Sequence, residues 1–181
     1  MDEPLSAEDE PPAAPVLRVV LLGLMGSGKT TVGQPLAAHL GAEYRDNDTL
    51  LRRATGRSLT QLAHEGTDVL HAAERAVVRG VLAEDPPLVA GAAAAVIEDA
   101  PTRALLARRS FPVYLHARPE TLVERGGADD HRPWLRPDPL AALRRMYATR
   151  DPLYREVAAL VVDADQPPDG AVRDILAALA S

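Results

Sequence analysis

Beyond residue 16 the chain alternates short apolar runs, rich in β-branched residues, with longer stretches of helical character. Strands are expected over 16–22, 42–45, 88–90, 112–116 and 160–162, short runs that are apolar except for 42–45 and are bounded by polar or turn-forming residues. Helices are expected over 28–40, 67–83, 101–109, 119–124, 139–148 and 170–180, several of them opened by proline or an acidic residue. This order is that of βαβ units around a parallel sheet, and so of an α/β protein. Pro35 falls inside the first helix, where it removes a hydrogen bond and is expected to bend the axis. Two stretches stand outside the alternation. Residues 1–15 combine four prolines with acids and alanines and are expected to form a disordered tail, because so little apolar surface cannot offset the entropy of ordering. Residues 126–139 are polar and turn-rich around His131, Arg132, Pro133 and Trp134 and are expected to be the mobile segment of a single domain spanning 16–181.

Composition narrows the class. The 181 residues are 46% hydrophobic and 25% charged, proportions suited to one soluble domain, and the lack of cysteine excludes disulfides and thiolate metal sites. Five of the 26 acidic residues lie in the first fifteen positions, so the formal charge of −6 belongs mostly to the tail. The remainder is nearly neutral, which predicts neither a nucleic-acid nor a membrane partner, and a cytoplasmic location is expected. Arginine supplies 19 of the 20 basic residues, and Lys29 is the single lysine. A lysine kept in a glycine-rich loop suggests a task for which arginine's planar fork is too wide.

That loop, Gly23-Leu24-Met25-Gly26-Ser27-Gly28-Lys29-Thr30, has the spacing G-x-x-x-x-G-K-[ST] between an apolar strand and a helix. Such a loop binds nucleoside triphosphate. Its glycines let backbone N–H groups curl around phosphate oxygens, the helix N-terminus adds positive potential, Lys29 reaches the terminal phosphates and the Thr30 hydroxyl is placed for Mg²⁺. Gly26, Ser27, Gly28, Lys29, Thr30 and Thr31 are therefore the expected ATP-binding set. Asp46-Asn47-Asp48 closes the second strand, at the end where parallel strands line a ligand crevice. If the strand continues through it, both carboxylates share one face, one for the Mg²⁺ water shell and one to accept a hydroxyl proton; otherwise the cluster caps a helix.

From about residue 16 to the C-terminus the sequence resembles the shikimate kinase family. The phosphate loop, Asp46 and Asp48, the Glu65-Gly66 segment leading to His71 and Glu74, the segment Arg132-Pro133-Trp134-Leu135 and the run Arg150-Asp151-Pro152-Leu153-Tyr154 carry the resemblance, in the family's order and spacing. The resemblance implies a three-layer α/β/α phosphate-loop kinase fold with a five-stranded parallel sheet, a monomer that uses ATP and Mg²⁺ to phosphorylate a hydroxyl of a small molecule. It implies that Thr30 and Asp46 serve the metal, and that Asp48 holds and deprotonates the acceptor. It further implies that Lys29 and Arg132 stabilise the transferring group, Arg125 closes over adenine, and His71, Glu74 and Arg150 form the acceptor site.

The sequence departs from the family chiefly on the acceptor side. His71 stands where the family's R-x-x-E has arginine, and a histidine is shorter and only partly charged, although Glu74 one turn on is expected to favour its protonated form. Alanines 92–94 replace three glycines after the third strand, and left-handed backbone there would cost each roughly 1–2 kcal/mol; a helix starting at 92–95 would avoid that cost. Trp134 replaces a lid leucine, Leu70 an aromatic residue, and Gln166-Pro167 an arginine near the adenine. Shikimate is the leading acceptor. Another cyclic polyol, cyclitol or sugar acid such as gluconate, or a nucleotide-binding relative without activity, are the alternatives.

Overall fold

The computed structural model describes residues 17–126 and 137–181. Five strands, β1 (Arg18–Leu22), β2 (Glu43–Arg45), β3 (Leu88–Gly91), β4 (Phe111–His116) and β5 (Leu160–Asp163), form one sheet. All are parallel, in the order β2-β3-β1-β4-β5. The central β1 carries the run Val19, Val20, Leu21 and Leu22, each at most 1% exposed, and so anchors the core between two helical layers. Helices α1 (Lys29–His39), α2 (Asn47–Thr55), α3 (Leu59–Glu65), α4 (Thr67–Val81), α5 (Ala100–Arg109), α6 (Pro119–Glu124), α7 (Pro139–Val157) and α8 (Pro168–Leu179) connect and cover the strands, with a 3₁₀ turn at Ala94–Glu98. The sheet order brings the strand ends after β1, β2 and β3 together, and the site is built there.

Two helices that the apolar pattern did not predict follow β2. Asp46 ends the strand by capping α2, its Oδ1 accepting from the Thr49 N–H at 2.9 Å, and Gly56 closes that helix in the left-handed conformation at φ 69°. Ser58 and Gln61 then form a reciprocal capping box that starts α3. Further on, α7 does not stop at 148 as expected but runs through Pro152 to Val157. Pro152 and Ala148 are both exposed, so water can take the carbonyl that the proline leaves unbonded. Pro35 inside α1 faces the same situation with the exposed Thr31.

The extension of α7 carries Tyr154 into the core, where its ring stacks on Tyr114 at 4.7 Å and its hydroxyl donates to the Ala94 carbonyl at 2.8 Å. This bond ties the 3₁₀ turn to α7. Tyr154→Phe leaves the carbonyl without its partner and is expected to cost about 1–2 kcal/mol of stability in urea denaturation, whereas an unchanged midpoint would contradict a structural role for the hydroxyl.

Candidate active site

Between β1 and α1 the chain turns through Gly23, Gly26 and Gly28, with φ of 142°, 81° and 90°. At Gly28 a side chain would meet only open space, so backbone conformation alone requires glycine there. Helix α1 starts with neither a capping side chain nor an acidic residue in its first turn, which leaves its N–H groups and positive end available to an anion. Lys29 Nζ spans the loop, donating to the carbonyls of Gly23 at 2.8 Å and Leu24 at 3.0 Å. The Ser27 hydroxyl is buried with no hydrogen-bond partner. A nest of N–H groups with one ammonium and an orphaned buried hydroxyl fits a polyphosphate.

The Thr30 hydroxyl lies 3.4 Å from Asp46 Oδ2, while the other oxygen of Asp46 takes both the N–H and the hydroxyl of Thr49. Asp46 therefore caps a helix while its second oxygen faces the loop; the strand ends at Arg45, so of the two readings of this cluster the capping one holds. One hydroxyl and one carboxylate suit Mg²⁺, which takes only a few protein oxygens and completes its shell with water and phosphate. Asp48 is not the next residue on a strand face. It sits in the first turn of α2, where Asn47 Nδ2 donates to its Oδ1 at 3.2 Å.

Asp46 and Asp48 open onto a cavity of about 1300 Å³ that the phosphate loop also lines. Thr31 lines it beside Thr30; Arg125 and Pro168 lie on it too, and Arg125 Nη1 donates to the Ala164 carbonyl at 2.7 Å. Gln166 is turned elsewhere, its amide bonded to Asp174 of α8. Toward the acceptor side, α4 supplies Leu70, His71 and Glu74, and α7 supplies Met146 and Arg150. Arg150 is 8% exposed and its Nε donates to Glu98 Oε1 at 2.5 Å. Arg132 and Trp134, expected to complete the site, and the tail 1–15 lie outside the described residues.

The structure chooses between the two readings of alanines 92–94 and revises the expectation for His71. First, no residue other than glycine has positive φ among those described, and Ala93 is extended at φ −61°, ψ 145°. The alanines enter a 3₁₀ turn without strain, while Gly91 is kept where the Tyr44 hydroxyl would lie 2.6 Å from an added Cβ. Second, Glu74 does not promote a charged His71. Burial and the positive charge of Arg150 hold the His71 pKa below its ordinary value, which favours the neutral ring.

Glu74 is 5% exposed with an unpartnered Oε2, and burial together with the negative charge of Asp48 pushes its pKa up to about 7. The folded chain thus keeps a proton that the unfolded chain loses near its ordinary pKa of 4.5. Stability from this group falls as pH rises from there through about 7, because the folded state binds more protons over that interval. Glu74→Gln, which cannot ionise, is expected to gain in Tm relative to wild type as pH is raised from about 5 to about 8. A constant difference over that range would show that Glu74 titrates normally.

Sequence reasoning missed several contributors. The cavity reaches α3 through Thr60, Ala63 and His64, and Arg52 of α2 also lines it. Arg52 follows Asp48 by one helical turn, and the Asp46 cap with a hydrophobic pair at 50–51 was the available signal for that helix.

A phosphate loop leaving the central strand of this sheet order, with a carboxylate across the cavity, defines a phosphate-loop phosphotransferase. The family model described as shikimate kinase matches residues 25–180. Shikimate kinase from Neisseria gonorrhoeae is 38% identical over 149 residues, covering 81% of this chain and 87% of that protein. Shikimate kinase from Pseudomonas entomophila is 40% identical over 161 residues, covering 87% and 93%. Among solved structures, shikimate kinase from Acinetobacter baumannii in complex with shikimate superposes with a TM-score of 0.85 at 34% identity, covering 90% of this chain and 92% of that one. The chain belongs to the shikimate kinase family, and is an ATP-dependent phosphotransferase acting on a hydroxyl group.

Proposed function

We propose that the protein transfers the γ-phosphoryl group of ATP to a ring hydroxyl of shikimate, giving 3-phosphoshikimate. One observation carries this reading: the phosphate loop and Asp48, His71, Glu74 and Arg150 line the same cavity. Bound ATP with Mg²⁺ supplies the phosphoryl group and neutralises part of its charge. The residues of the chain position and polarise the reactants. Lys29 and the N–H groups of the loop stabilise charge that builds on the transferring oxygens, Thr30 and Asp46 hold the metal, and Arg125 lies at the nucleotide end. Asp48 accepts the proton of the attacking hydroxyl as its oxygen bonds to phosphorus and the bridge to ADP breaks. Arg150 pairs with the acceptor's carboxylate, Glu74 and His71 offer hydrogen bonds beside it, and Arg132, which lies outside the described residues, is assigned by the family resemblance to stabilise the transferring group.

The phosphate loop with Asp46 and Asp48 supports an active enzyme over a nucleotide-binding relative. Gluconate is not favoured by any contact here; a gluconokinase from Sinorhizobium meliloti shares the fold alone, at a TM-score of 0.64 and 24% identity. Among the described residues no helix is long and apolar enough to cross a membrane. The test is ADP release from Mg-ATP with shikimate, gluconate and a cyclitol offered separately. Saturable release with shikimate supports the proposal, and release only with another acceptor contradicts it.

A further inference from the structure

With the acceptor arginine of α4 replaced by His71, a carboxylate at this end of the cavity meets fewer cations than the family's motif provides. Among the described residues the cationic side chains lining the cavity are Lys29, Arg52, Arg125 and Arg150. Lys29 is engaged with the phosphate loop, and Arg125 is bonded to Ala164 at the nucleotide end. Arg150 is steadied by Glu98, which does not itself line the cavity, so the carboxylate fixes the Nε edge and leaves the Nη groups for a ligand. Arg52 remains. It is exposed, and its guanidinium makes no hydrogen bond or ion pair with any described residue, unlike Arg57, which pairs with Glu65 at 2.6 Å. It follows Asp48 by four residues on α2, so both belong to the face of that helix that borders the cavity.

We infer that Arg52 of α2 supplies the second cationic contact to the acceptor's carboxylate, opposite Arg150 of α7. The inference rests on the proposed function, because it takes the acceptor to be an anionic ring alcohol. It moves the clamp from two helices, α4 and α7, to α2 and α7, and places the proton acceptor and the carboxylate anchor one turn apart on a single rigid element. A neutral acceptor of the same shape gains nothing from this pair, so Arg52 selects for acids. Arg53, the next residue, does not line the cavity but only a smaller groove that Arg52 also borders, and is the natural control.

The test is steady-state kinetics with shikimate and Mg-ATP on Arg52→Ala, Arg52→Glu, Arg52→Lys and Arg53→Ala. Arg52→Ala is expected to raise the KM for shikimate about 10- to 100-fold, as loss of a charged hydrogen bond predicts. The KM for ATP stays within about twofold, Arg52→Glu is worse than Arg52→Ala, and Arg52→Lys recovers part of the loss. Arg53→Ala keeps the wild-type KM for both substrates. Equal KM values for shikimate in wild type and Arg52→Ala overturn the inference while leaving the enzyme a shikimate kinase. A parallel rise in the KM for ATP also overturns it, because it marks a general disturbance of α2. A wild-type protein that does not turn over shikimate overturns the function and the inference together.

Discussion

Lys29→Ala is expected to lower kcat with shikimate by about three orders of magnitude, the scale on which one cation aimed at a transferring phosphoryl group acts. The ammonium has two tasks. It ties the carbonyls of Gly23 and Leu24 across the loop, and it stands at the N-terminus of α1 where the terminal phosphates are to sit. Its removal therefore weakens the shape of the loop as well as its charge. Lys29→Arg is expected to fail as a rescue, because the guanidinium is wider than the ammonium and cannot thread the same two carbonyls. Circular dichroism of both variants should remain that of the folded protein, since the β1 core does not depend on this side chain. Turnover of Lys29→Ala within a few-fold of wild type would remove the phosphate loop from the mechanism.

The second large effect is expected at Asp48. Asp48→Asn keeps the size of the side chain but cannot accept the hydroxyl proton, and a loss of about 10²–10⁴ in kcat is predicted from the usual worth of a general base. ATP binding should persist, because the loop, Thr30 and Asp46 are untouched. Isothermal titration with a non-hydrolysable ATP analogue separates the two properties. Normal nucleotide affinity with kcat lowered by at least a hundredfold fits the assignment of Asp48, and normal kcat would assign the proton to another group.

Much of this was legible in the chain before any coordinates. Apolar runs located β1, β3 and β4, because a strand buried on both faces needs a continuous apolar run, whereas the short polar β2 (Glu43–Arg45) followed only from its place in the alternation. The phosphate loop was legible for a different reason, since its glycines and lone lysine are imposed by backbone conformation and by the size of the phosphate cradle. Helices α2 and α3 were not seen. They are short and depend on caps at Asp46 and Ser58 rather than on long amphipathic stripes. The reach of α7 past Pro152 was hidden because an interior proline usually ends or kinks a helix, whereas here the Ala148 carbonyl that it leaves unbonded lies on an exposed face.

The acceptor side was less legible because its properties arise between elements. The charge state of His71 depends on burial and on Arg150, which lies far along the chain in α7. The proton of Glu74 depends on burial and on Asp48. The alanines at 92–94 left open a strained pocket floor or a helical turn, and the chain takes a 3₁₀ turn in ordinary backbone, tied down by Tyr154.

The most direct measurement is transfer of label from [γ-³²P]ATP to shikimate in the presence of Mg²⁺, with the product separated from ATP and inorganic phosphate. The account predicts one labelled product, a phosphate monoester on the ring, formed in proportion to ADP and absent with Lys29→Ala. Label that appears only as inorganic phosphate, or that moves to gluconate and not to shikimate, would contradict it.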